Sequence, residues 1–159
     1  MKKDVGQGLY DLSLFSYSLG EIEESFWEKI LANVWNQTEK ALVIVEPGTP
    51  AGYHRMMKIR EFFLHKLGAY LWAPCPHVHV CPLSKEDWCH FSVRVPRSSL
   101  HRKLKSGDLS YEDEKFCYLI ASKFAGSVPA HRIIRHPQKQ SGFVRLSLCA
   151  QNGSVIEQT

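Results

Sequence analysis

The chain has 159 residues, 44% of them hydrophobic and 23% charged, a balance that suits one ordinary core and excludes a disordered or fibrous protein. No apolar run reaches the roughly 20 residues of a membrane span, and Met1-Lys2-Lys3-Asp4 leads into neither a signal-peptide core nor an arginine-rich leader, so a soluble intracellular protein without membrane contact is expected. A net charge of +4 permits an anionic partner, and five cysteines, an odd number without secretory features, argue against a disulfide framework.

Tyr10 to Phe15 alternates in polarity and predicts a strand, ended by the turn-prone Ser16-Tyr17-Ser18-Leu19-Gly20. The period then lengthens. Ile22, Phe26, Trp27, Ile30, Leu31, Val34 and Trp35 recur every three to four residues, with acidic residues near the start, the pattern of an amphipathic helix. Ala41 to Val45 is a continuous apolar run, as in a parallel strand covered on both faces. Glu46-Pro47-Gly48-Thr49-Pro50 makes a loop, and Tyr53, Met56, Met57, Phe62, Phe63 and Leu67 outline a second helix that Gly68 can stop. Strand, helix, strand, helix over residues 1–68 is half of a doubly wound α/β sheet. From Ala69 to Asp113 prolines, histidines and three cysteines break the pattern, which predicts an inserted segment over 69–113. Residues 114–159 close the single domain: Phe116 to Ala121 and Phe143 to Cys149 predict strands, and Asn152-Gly153 turns the chain into a short last strand through Ile156.

Cys75, Cys81 and Cys89 form C-x5-C-x7-C in a proline-rich stretch, so three thiols lie within fifteen residues of a loop stiffened for ligation. A lone cysteine is most often buried core, but three in a polar segment point to metal binding. Cys149, at the end of a predicted strand and before a turn, is the expected fourth ligand, while Cys117, between Phe116 and Tyr118, reads as core. All-sulfur ligation suits an iron–sulfur cluster; His77, His79 or His90 in place of a thiolate would suit zinc. Two basic groups flank this segment: Arg94, Arg97, His101, Arg102, Lys103 and Lys105, then Arg132, Arg135, His136 and Lys139. They predict contacts to RNA phosphates, with Trp72, Trp88 and Phe91 available for base stacking.

The strings Tyr10-Asp-Leu, Ser16-Tyr-Ser-Leu-Gly-Glu-Ile22, Val45-Glu-Pro-Gly-Thr-Pro-Ala-Gly-Tyr53, Ala73-Pro-Cys-Pro-His77, Asp87-Trp-Cys-His-Phe-Ser92, Tyr111-Glu-Asp-Glu-Lys-Phe116 and Arg132-Ile-Ile-Arg-His-Pro137 resemble the bacterial and mitochondrial methyltransferase-like family of the small ribosomal subunit. The resemblance implies the C-terminal portion of a class I, Rossmann-like methyltransferase fold with a cysteine-rich metal-binding insertion. It further implies association with the small subunit and its rRNA during assembly, in the bacterial cytoplasm or the mitochondrial matrix. A four-iron four-sulfur (4Fe–4S) cluster on Cys75, Cys81, Cys89 and Cys149 is implied as well. In that fold the Tyr10 strand would be the fourth, the Ala41 strand the fifth, and the Phe116 and Phe143 strands a closing antiparallel pair.

Such a sheet binds S-adenosylmethionine at its first strand–helix turn, through a glycine-rich loop, and the motif is not among these residues. Cofactor binding therefore implies a missing N-terminal half, on this polypeptide's longer form or on a second polypeptide completing the sheet. Ser16-Tyr17-Ser18 also stands where amine methyltransferases of this fold often carry an Asn/Asp-Pro-Pro-aromatic tetrad. Ser18, Glu21 and Glu46 fall at carboxyl ends of strands, the edge where open sheets bind ligands, and are the candidates to line a cofactor cleft. Two other readings stay open: an active S-adenosylmethionine-dependent rRNA methyltransferase, and a zinc-binding interaction module.

Overall fold

The structure is a computed structural model, and it describes residues 8–84, 86–104 and 107–159. Strand β1 (Tyr10–Ser16) runs parallel to β2 (Thr38–Pro47), with Leu14 opposite Val43 and Phe15 opposite Ile44. Between them the predicted first helix is broken into two 3-10 turns, Leu19–Glu21 and Glu24–Phe26, followed by α1 (Trp27–Asn36). The Trp27 indole explains the break, because its Nε1 donates to the Leu19 and Ile22 carbonyl oxygens (3.2 and 3.0 Å) that a continuous helix would use internally. From there Trp27, Leu31 and Trp35, four residues apart, bury one stripe against Leu42 and Ile44 of β2.

Helix α2 (Pro50–Glu61) begins as its sequence demands. Thr49 Oγ1 accepts the Gly52 N–H at 3.1 Å, and proline occupies the first turn. A Cβ on Gly52 would sit 2.0 Å from the Pro47 carbonyl oxygen, so only glycine lets the loop close this tightly on the helix. A π-helical turn, Phe62–Lys66, extends α2 until Gly68, at φ +60°, ends it where the sequence predicts.

The next stretch departs from expectation. Strands β3 (Tyr70–Ala73) and β4 (Phe91–Pro96) both pair antiparallel with β5 (Tyr111–Ser122), and α3 (Ser99–Leu104) follows β4. β3 meets β5 from Ser122 to Ile120 and β4 meets it from Phe116 to Tyr111, so the two run in the same direction along successive parts of one partner. The predicted insertion over 69–113 therefore contributes β3, β4 and the start of β5 to the sheet, and the irregular excursion between β3 and β4 is residues 74–90. β3 was masked by its four-residue length, and β4 because its side chains from Ser92 to Pro96 are exposed, which removes the burial pattern that marks a strand. On its other side β5 pairs antiparallel with β2, giving the order β1-β2-β5-β3 with β4 also on β5.

A second sheet is built on β8 (Phe143–Ala150), which pairs antiparallel with β6 (His131–Ile133), β7 (Gln138–Gln140) and β9 (Val155–Gln158). The predicted Phe116 and Phe143 strands exist but do not pair with each other, because β5 lies inside the first sheet and β8 centres the second. The whole is a mixed α/β arrangement consistent with a methyltransferase-like fold. β1 forms one edge of the five-stranded sheet, with Leu12 and Leu14 60% and 63% exposed. Among the described residues no helix is long and apolar enough to cross a membrane.

Candidate metal centre

The excursion over 74–90 is tied down by polar bonds from three elements. Arg60 of α2, 1% exposed, donates from Nη2 to the carbonyl oxygens of His77 (3.1 Å) and His79 (2.9 Å). Trp88 Nε1 donates to the Gly48 carbonyl oxygen at 3.0 Å, and Cys117 Sγ on β5 donates to that of Cys89 at 3.1 Å. A loop whose carbonyls are so engaged holds its side chains at defined positions.

Those positions bring the cysteines together. Cys75, Cys81 and Cys89 from the loop, Cys117 from β5 and Cys149 from β8 all line one cavity of about 30 Å³, covered by Met56 and Met57 of α2. A single water needs roughly 10–15 Å³ in the same measure, so the space exceeds one water. The fourth wall comes from the second sheet, where β6–β8 register sets Arg132 directly opposite Cys149. Among the described residues no group of three or more His, Cys, Asp or Glu side chains is arranged to hold a metal ion.

Burial dominates the electrostatics. It pushes the Cys75 and Cys89 thiols up, while the Arg60 guanidinium pulls Cys75 down and Arg132 pulls Cys89 down. Cys149 is pushed up to about 11 by burial and then by Cys75, Cys81 and Cys89, whereas for Cys117, raised to about 12 by burial, Cys89 is the next cause. Cys149 thus feels all three loop sulfurs. Cys117 is already a thiol donor to a carbonyl, a bond that a thiolate cannot make. Around the rim, the Tyr53 hydroxyl donates to Cys81 Sγ (3.2 Å) and His77 Nε2 lies 3.2 Å from Cys149 Sγ.

Arg132 provides the clearest test of fit for an anionic thiolate-bound group. Its Nη1 donates to Cys89 Sγ at 2.5 Å, its Cζ stacks 3.9 Å from the Phe91 ring centroid, and its Nε and Nη2 are buried without a hydrogen-bond partner. Guanidinium groups are costly to bury unless negative charge and acceptors face them. Soft sulfur donors lining the cavity, with cations beside them, fit an iron–sulfur cluster, which is held by thiolates and tuned by charge and hydrogen bonds to sulfur.

The other candidate residues are placed as follows. Glu46 is 0% exposed; its Oε1 accepts the Leu19 N–H at 3.2 Å and its Oε2 pairs with Arg55 Nη1 at 2.5 Å, so the carboxylate joins the turn after β1 to α2. Ser18 is half-buried and makes no side-chain cap, and Glu21 is exposed. Of the basic residues, Arg94 is paired with Asp113 (2.8 Å), Arg97 with Glu112 (2.9 Å) and Arg135 with Asp87. Arg102 and Lys103 are exposed on α3, while Arg132 turns inward; Lys105 lies outside the described residues. Sequence reasoning missed Arg60 and the inward role of Arg132. Arg60 had a signal, since it falls seven residues after Tyr53 and four after Met56, on the buried stripe of its own helix.

A family model described as mitochondrial small ribosomal subunit Rsm22 matches residues 2–159, nearly the entire chain. The chain belongs to the Rsm22 family. The human protein named "Ribosome assembly protein METTL17, mitochondrial" is 28% identical to this Rsm22-family chain over 158 residues, covering 92% of the chain and 33% of the human protein. The chain therefore spans about a third of the length of that curated relative. Family membership agrees with the resemblance carried by the Tyr10-to-Pro137 motifs. One of those motifs now has a physical reason: in Val45 to Tyr53, Glu46 is a buried ion-pair acid, Thr49 a helix cap and Gly52 a close contact.

Proposed function

We propose that this chain is the cysteine-bearing C-terminal portion of a methyltransferase-like assembly factor of the small ribosomal subunit. In this reading Cys75, Cys81, Cys89 and Cys149 hold a structural 4Fe–4S cluster that fastens the 74–90 excursion to the second sheet. The observation that carries it is the meeting of thiols from the 74–90 excursion and from β8 around one cavity, with the buried Arg60 and the half-buried Arg132 beside them. A cavity lined by cysteine sulfurs and backed by guanidinium groups suits an iron–sulfur cluster, which is held by thiolates. When bound, such a cluster supplies cross-linking of loop to sheet, and its four thiolates leave no open position for substrate. Cys117 stays a core thiol.

The outer surface of α3, with Arg102 and Lys103, supplies phosphate contacts to small-subunit rRNA. The human relative's name, a mitochondrial ribosome assembly protein, supports an assembly role and a ribosome-associated location of mitochondrial type. The exposed edge of β1 is where further methyltransferase-like strands, on the same or a second polypeptide, would pair, and S-adenosylmethionine binding would need them.

Anaerobic purification followed by absorption spectroscopy and iron and sulfide analysis tests the cluster. Brown protein with iron and sulfide in equal amounts is expected, lost in Cys75→Ser, Cys81→Ser, Cys89→Ser and Cys149→Ser. Colourless protein free of iron, or full iron content in all four variants, defeats the proposal.

A further inference from the structure

We propose that Arg132 is the counter-charge of the cysteine cavity, a positioning residue whose guanidinium N–H groups face the ligand sulfurs and set both how firmly a cluster is retained and how readily it is reduced. The inference rests on the cluster reading above and concerns a residue that the sequence pattern assigns to RNA.

Four features of the geometry lead to it. First, Arg132 is held in place by β6–β8 pairing, which sets it beside Cys149, and by stacking on Phe91, with Cζ 3.9 Å from the ring centroid. Second, its Nη1 already donates to Cys89 Sγ. Third, Nε and Nη2, the two remaining donor nitrogens, are buried without a partner. Fourth, the neighbouring basic residues behave differently. Arg94, Arg97 and Arg135 each pair with a carboxylate, whereas among the described residues Arg132 has no carboxylate within ion-pair distance.

A guanidinium placed this way is stabilised most by negative charge inside the cavity. Thiolates carrying a cluster supply that charge, and burial keeps water from screening the attraction. The planar fork suits the task better than an ammonium, because it presents several donors in fixed directions while its face rests on an aromatic ring. Reduction adds an electron to an already anionic centre. A fixed cation against the sulfurs stabilises the reduced state more than the oxidised one, so it raises the reduction potential, and its hydrogen bonds lower the tendency of the sulfurs to be lost to oxidation.

The test uses the full chain, purified anaerobically with its cluster, as wild type, Arg132→Gln and Arg132→Lys. Midpoint potential is read by spectroelectrochemical titration and retention by the rate of bleaching in air, with circular dichroism confirming the fold. Arg132→Gln is expected to bleach on the order of tenfold faster and to show a more negative potential. Arg132→Lys, which keeps charge but loses the fork and the stack, should move both readouts in the same direction by less. A purely architectural residue would lower the amount of cluster bound yet leave the potential of what remains at the wild-type value, and that result overturns the inference. So do wild-type potential and bleaching in both variants; if Arg132→Gln does not fold, the same criteria are applied to Arg132→Lys. Wild-type protein lacking iron and sulfide instead sinks the cluster reading itself, an outcome visible before any variant is compared.

Discussion

Replacing Glu46 separates a ligand-lining acid from a structural one. Its carboxylate is buried, pairs with Arg55 at 2.5 Å and accepts the buried Leu19 N–H at 3.2 Å. Removing one partner of a buried ion pair costs about 3–5 kcal/mol, and the Arg55 side chain, 19% exposed, can regain some water, which places this pair near the lower end. Leaving the Leu19 N–H without its acceptor adds about 1 kcal/mol. Glu46→Ala is therefore expected to lose about 4 kcal/mol, and Glu46→Gln about 2 kcal/mol, because the amide oxygen still accepts from Leu19. In urea, with a slope of about 2 kcal/mol/M, the alanine variant should unfold at a midpoint lower by about 2 M. Arg55→Met combined with Glu46→Met should recover much of the loss, since apolar replacement of both partners of such a pair is often neutral. A loss below about 1 kcal/mol in Glu46→Ala would refute this accounting and return Glu46 to the cleft-lining role that its position at the carboxyl end of β2 suggests.

Two further outcomes are expected. Cys117→Ala, which removes a thiol engaged with the Cys89 carbonyl and not a ligand, should retain iron at wild-type level while Cys149→Ser does not; iron and sulfide analysis of the purified proteins decides it. Arg102→Ala and Lys103→Ala should each weaken binding to small-subunit rRNA and reduce the slope of log affinity against log salt by about one, whereas Arg94→Ala, whose guanidinium is committed to Asp113 and stacked 3.9 Å from the Tyr111 ring centroid, should change the slope less.

The regular half of the chain was legible because its side chains follow a period. Ala41 to Val45 declares β2, and Tyr53 with Met56 declares α2, through burial on one face. The Gly68 stop was equally readable, since a positive φ is cheap only for glycine. The first helix was overextended for a reason no periodicity could reveal: Trp27 uses its indole to claim carbonyls from the preceding turns. β4, β6 and β7 escaped because their residues are mostly exposed, and strands without a buried face carry no alternation. Around the cavity, the clustering of Cys75, Cys81 and Cys89 and the strand-end position of Cys149 pointed to residues that line it, and Cys117, read as core, lines it too. Arg132 could not be read the same way, because neighbours in sequence, Arg135 and His136, made it look like part of a basic surface, and only the β6–β8 register turns it inward.

The placement of β3 and β4 on a common partner bears on how such a site can arise and vary. Both ends of the 74–90 excursion are clamped on rungs of β5 only four residues apart, Ile120 and Phe116. Closing a loop whose anchors are pre-set as neighbours depends only weakly on its length, growing by about 0.6 kcal/mol per doubling. The excursion therefore hangs from the sheet like a stirrup from a bar, and a change in its length costs little in loop closure while the ladder above it keeps its register.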